Sequence, residues 1–234
     1  MDNNETQQPF FGKSLKIIGG LFFFMLVGVM LIAYSTPHNV TEADIQRAKD
    51  KDHATIKEAT DKNPSPQKMD GKLGPVIVYT LNATEEGKWA HFSFETGEFS
   101  SDEKIKRDTL DWDIAFSRAK IVTNGGITNP KGKAGLALAK SFDFASVVEA
   151  PKDGYLPDQP AENVTRARNP IIEKWYDYNF WKHRLSPLGT VYIMRTANGG
   201  YAKFQILDYY CEKIPACYTI KYQYDGRGKA SFKE

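Results

Sequence analysis

The sequence predicts a mainly β protein, an antiparallel sandwich or barrel-like domain preceded by one transmembrane helix. Three observations carry this expectation. Segments of β-branched and aromatic residues, alternating with polar ones, recur from residue 75 to the C-terminus; a period of two marks strands with one buried face. Helical signal in the same region is thin, with short helices expected only at 134–147 and 171–182. One apolar run, Leu15 to Tyr34, stands apart near the N-terminus.

That run, LKIIGGLFFFMLVGVMLIAY, holds one charge, Lys16, at its edge. From Ile17 about 18 residues are nearly all apolar, and at ~1.5 Å of rise each they approach the ~30 Å hydrocarbon core. It lacks the polar stripe of a soluble core helix. Tyr34, Lys13 and Lys16 suit the interface, and the lysines favour a cytoplasmic N-terminus. A cleavable leader is the rival reading, with Ala33-Tyr34-Ser35 as a weak cleavage site. The expected organisation is a cytoplasmic tail at 1–14, a transmembrane helix at 15–34, a charged linker at 35–72 and a periplasmic domain at 73–234. This places the chain in a bacterial inner membrane with a single pass, in contact with the lipid bilayer through residues 15–34. Within the linker, Glu42 to Thr60 interleaves opposite charges, as a solvated helix does.

The strands follow in order. Pro75 to Leu81 is short and β-branched. Trp89, His91 and Ser93 alternate with Ala90, Phe92 and Phe94. Trp112 to Phe116 precedes Lys120 to Thr123, and Asn124-Gly125-Gly126 then supplies a turn tolerant of positive φ. Val191 to Thr196, Asn198-Gly199-Gly200 and Tyr201 to Leu207 read as a hairpin, and Tyr218 to Tyr224 as a final strand ending at Asp225-Gly226. The roughly 160 residues beyond the linker suffice for one domain with its own core.

Lys plus Arg is 31 and Asp plus Glu is 29, a net charge of +2. Such a balance lacks the basic excess of a nucleic-acid-binding surface. The two cysteines, Cys211 and Cys217, flank Pro215 in CEKIPAC between β-rich runs. A loop closed by a disulfide suits this spacing and an oxidising compartment, with two unrelated thiols as the alternative. The spacing exceeds the C-x₂₋₄-C of zinc sites, and no metal site is expected.

Several motifs fall in a telling order: Trp112-Asp-Ile-Ala-Phe, then Ile121-Val-Thr-Asn-Gly-Gly, Trp175-Tyr-Asp-Tyr, the run from Tyr192 to Ile206, and Tyr209-Tyr-Cys. Over most of residues 75–225 this order resembles the HmuY family of haem-binding proteins. The resemblance implies an all-β domain outside the cytoplasmic membrane and a haemophore that passes haem to an outer-membrane receptor. In the family's best-known member two histidines clasp the iron. The matching motifs are strands rather than ligand loops, so the resemblance assigns no ligand here. A membrane-fixed chain would also depart from the lipidated or shed habit of the family.

An axial haem ligand is a neutral imidazole or a thioether held in an apolar slot. His183 follows Trp175, Tyr176, Tyr178, Phe180 and Trp181, with Lys182 and Arg184 beside it. The rings could wall a porphyrin and the cations could meet its propionates. The same cluster suits an aromatic protein interface. His91 and Met194 are further ligand candidates, each with a packing role as its alternative. Haem is the one cofactor implied, and it would be non-covalent because CxxCH is absent. No catalytic residues are expected: the chain has no G-x-S-x-G, H-E-x-x-H or P-loop. Two functions follow. One is a structural, accessory subunit of an integral membrane protein complex, reached through the apolar helix and its Gly19-Gly20 and Gly28. The other is a haem-binding or haem-handling protein.

Overall fold

A computed structural model of the chain describes residues 41–161 and 166–234. The expected tail and transmembrane segment, 1–14 and 15–34, lie outside the described residues. Among those described, no helix is long and apolar enough to cross a membrane. The chain divides into two compact units, Met1–Lys49 and Asp50–Glu234. Residues 50–72 fall within the second of these units.

Helix α1 (Glu42–Thr60) starts at a reciprocal cap. Thr41 Oγ1 accepts the Asp44 N–H, while the Asp44 carboxylate accepts the Thr41 N–H and hydroxyl. Its later part packs Ile56 against Cys211 and Cys217, which are joined as a disulfide with Cα atoms 5.4 Å apart. Beyond the helix, Asn63 lies on the edge of strand β1 (Ile77–Asn82). Its amide nitrogen donates to Thr80 O at 2.8 Å and its oxygen accepts Thr80 N–H at 2.7 Å. One side chain thus satisfies edge groups that would otherwise invite another strand.

The larger sheet runs β1, β13 (Ile214–Asp225), β12 (Tyr201–Cys211), β11 (Val191–Arg195) and β6 (Gly135–Leu138), every pair antiparallel. The second runs β3 (Phe99–Asp102), β2 (Trp89–Phe92), β4 (Ile114–Ser117) and β5 (Lys120–Thr123). Their inner faces meet in one aromatic core, where Phe92 lies 5.0 Å from Tyr79, Phe116 4.7 Å from Tyr218 and Phe94 5.3 Å from Phe204. Alternation explains the division: Phe204 and Ile206 of β12 and Tyr218, Ile220 and Tyr222 of β13 all face this core. Each such side chain fully buried contributes ~1.5–3 kcal/mol. Two short ribbons complete the unit, β7 (Gln159–Pro160) with β8 (Ala167–Arg168), and β9 (Tyr176–Asn179) with β10 (Arg184–Pro187).

Neither helix expected in this unit forms. Within 134–147 the segment Gly135–Leu138 pairs with β11, and within 171–182 a turn leads into β9. A four-residue apolar run such as Gly135-Leu-Ala-Leu fits either period, and pairing with β11 decides it.

The motif polar groups are structural. Asp113 accepts the N–H of Phe94 at 2.8 Å and of Ala197 at 2.9 Å, joining the second sheet to the loop after β11. Burial raises its carboxyl to about 6 against those two stabilising bonds. Asp158 gathers Thr123, Thr128 and Asn169 in the same way, and burial raises it too. Gly126, at φ 61, packs so close to this region that a Cβ would lie 2.1 Å from Asp158 O.

Candidate functional site

The ribbon β9–β10 carries most of the sequence-selected residues. Its register pairs Asn179 with Arg184 and Tyr178 with Leu185, leaving Phe180 to His183 as a four-residue tip. Asn179 Oδ1 accepts the Lys182 N–H at 2.9 Å and closes the turn. His183 then takes φ 49, a left-handed conformation in which His is found more readily than β-branched residues.

The base of the ribbon is fixed to the β unit. Trp175, just before β9, is 2 % exposed; its ring packs on Tyr176, Tyr209 and Tyr218, and its Nε1–H donates to Ala119 O at 3.1 Å. Trp175 is therefore a foundation of the ribbon, and it also lines a cavity at the ribbon base. Tyr210 of β12 holds the second strand: its hydroxyl accepts the Leu185 N–H at 2.9 Å, and the Arg184 guanidinium lies 3.8 Å above its ring. Sequence reading did not single out Tyr210 as a site residue, although the Tyr209-Tyr-Cys motif contains it. Tyr176 and Leu185 pack against the core.

The tip is different. Trp181 is 90 % exposed, Phe180 67 % and Tyr178 47 %. His183 sits among them, its ring centroid 5.8 Å from Phe180 and 6.3 Å from Tyr178. Tyr178 Oη lies 2.7 Å from His183 Nδ1. In the tautomer whose Nδ1–H donates to that oxygen, Nε2 is the nitrogen left with a lone pair, on a side chain that is exposed. Lys182 and Arg184 flank the imidazole in sequence. Large apolar side chains exposed together make the tip a candidate binding surface.

The other two ligand candidates lie elsewhere. Met194 is fully buried in the core. Its thioether could reach a ligand only if the sheets parted. His91 is 1 % exposed, its ring edge-on to Trp112 at 4.9 Å, and Nε2 accepts weakly from the Lys106 N–H at 3.5 Å. Burial first, and Lys106 second, push its imidazole down to about 4. A cavity of about 540 Å³ between Leu138 and Asp153 is lined by no His, Met or Cys. Beside the ribbon base a cavity of about 240 Å³ includes Trp175 and Tyr176; it falls below the ~300–1,000 Å³ usual for ligand pockets. Among the described residues no cluster of three or more His, Cys, Asp or Glu could hold a metal ion. The residue types at the tip are ones that haem could use: an exposed imidazole, apolar rings and Lys182.

The chain matches the family model for HmuY protein over residues 85–224. No curated relative matches it. Among solved structures, the apo HmuY analog of Tannerella forsythia superposes with a TM-score of 0.53 at 17% identity, covering 65% of this chain and 98% of that one. A Bacteroides fragilis protein described as a lipoprotein gives 0.51 at 18%, covering 63% and 88%. A Bacteroides vulgatus protein described as HmuY-like and haem-binding gives 0.50 at 17%, covering 63% and 90%. At these identities the structures establish a shared fold.

These findings correct the placement expected from the sequence. The single-pass inner-membrane reading is not upheld: among the described residues no helix is long and apolar enough to cross a membrane. The apolar segment 15–34 that suggested it lies outside the described residues. The antiparallel β architecture is the one the relatives share, and the matched region spans the strands β2 to β13 that build it. The chain belongs to the HmuY family.

Proposed function

We propose that this protein binds haem at the tip of the β9–β10 ribbon, with His183 Nε2 as an axial ligand. One observation carries the reading: an exposed imidazole, oriented through Nδ1 by Tyr178, stands among exposed Phe180 and Trp181. His183 would hold the iron of haem through its imidazole, and Phe180 and Trp181 would cover the flat apolar macrocycle. Lys182, an exposed cation of the tip itself, would be the group to meet a propionate, since Arg184 is stacked on Tyr210. Membership of the HmuY family favours this reading over an accessory subunit of a membrane complex. In this reading the chain binds and presents haem and catalyses no reaction.

Haemin titration of the purified chain, followed at the Soret band, tests it. A saturable Soret shift is expected, lost in His183→Ala and kept in His91→Phe. A spectrum identical to free haemin, or binding by His183→Ala equal to the wild type, overturns the proposal.

A further inference from the structure

Resting on that reading, we infer that haem is held between two copies of the chain, each supplying His183 as one axial ligand. The site on one copy is incomplete in two respects. The first is the count of ligands. Haem iron offers two axial positions, and a neutral imidazole or thioether is the usual occupant. Among the described residues, His91 is buried beneath Trp112, Met69 and Met194 are buried in the core, and both cysteines are in a disulfide. His183 at the tip and His53 on α1 are the described imidazoles that solvent reaches.

The second is cover. The tip is a convex end of a ribbon, and the cavity at its base is too small for a drug-sized ligand. One ribbon can touch one face of a porphyrin and leaves the other in water. Trp181 and Phe180, 90 % and 67 % exposed, are large enough to flank a macrocycle, and a second tip would cover the opposite face with the same residues. A twofold arrangement of this kind is self-complementary by symmetry. Charge favours it as well. Each copy brings Lys182 at its tip, so two tips repel until the two propionates of haem lie between them.

The experiment is haemin titration of the full chain with stoichiometry read at the Soret band and mass read by light scattering after size exclusion. The expected result is saturation at one haemin per two chains, a six-coordinate bis-imidazole spectrum, and a haem-loaded dimer. His183→Ala loses all three. His53→Ala keeps them. Trp181→Ala keeps the ligand and weakens the dimer by roughly tenfold or more, because the twofold loses this ring from both copies. Saturation at one haemin per chain overturns the inference, as does loss of six-coordination in His53→Ala; in either case a His183-dependent Soret shift leaves the haem-binding proposal standing. Absence of any Soret shift overturns both.

Discussion

Tyr178 and His183 meet across the mouth of the β9–β10 ribbon, the phenol oxygen 2.7 Å from Nδ1. A ligating imidazole needs its other nitrogen held, because that bond selects the tautomer and the ring orientation. Removing the phenol oxygen should therefore weaken haem binding without removing the ligand. For Tyr178→Phe a fall of roughly 10-fold in haemin affinity is expected, at the lower end of such effects. The Soret band should keep its His183 dependence. Unchanged affinity in the titration would show that the bond orients nothing.

Trp175 and Trp181 are six residues apart and do opposite things. The first is buried under Tyr209 and Tyr218; the second stands in water. Trp175→Ala should cost ~3–5 kcal/mol of stability by urea unfolding, the usual loss for a buried aromatic. Trp181→Ala should change stability by less than ~0.5 kcal/mol, as surface changes do, while weakening haemin binding. A large stability loss in Trp181→Ala would mean that the ring packs in the fold after all.

The strands were legible because alternation reports a buried face directly. Lys120 to Thr123 forms β5 with those bounds, and Glu42 to Thr60 forms α1. The ribbon was half legible. Its residues stood out as an aromatic run, but composition does not say which way a ring points. Tyr176 and Tyr178 alternate on β9, whereas Trp175 precedes the strand and turns into the core. Met194 shows the same limit: a strand pattern marks it as buried or exposed only once its sheet partners are known, and here those partners are Ala202 and Leu136. Tyr210 was missed because its role depends on a ribbon 25 residues away in sequence.

The disulfide ties the last turn of the larger sheet. Cys211 ends β12, one residue beyond the Tyr210 that holds the ribbon, Cys217 is the fourth residue of β13, and Ile56 of α1 packs on both. Closing so short a loop is worth about 2 kcal/mol by chain entropy. The double variant Cys211→Ser with Cys217→Ser should lose about that much in urea unfolding. Its haemin affinity should fall as well, because Tyr210 loses its fixed neighbour. A variant as stable as the wild type would show that the strand pairing alone holds this turn.

His91 and Asp113 oppose each other in their response to pH. His91 is pushed down to about 4 by burial, against ~6.5 in an unfolded chain. Between those values the unfolded state binds more protons, so the stability of the neutral imidazole is full above ~6.5 and is lost as pH falls toward 4. Asp113 is raised by burial to about 6, against ~3.9 unfolded. There the folded state binds more protons, so stability from the protonated acid is present at low pH and is lost as pH rises through 6. From pH 4 to 6 the two slopes, each up to ~1.4 kcal/mol per unit, offset one another. Measured as differences from the wild type, His91→Phe should gain relative stability as pH falls from 6.5 to 4. Asp113→Asn should lose it from 6 to 4. It should also be less stable at pH 7, because an amide can accept only one of the two N–H bonds from Phe94 and Ala197. Urea unfolding from pH 4 to 7.5 reads both. Parallel curves for His91→Phe and the wild type would show that the imidazole already reaches its protons in the folded state.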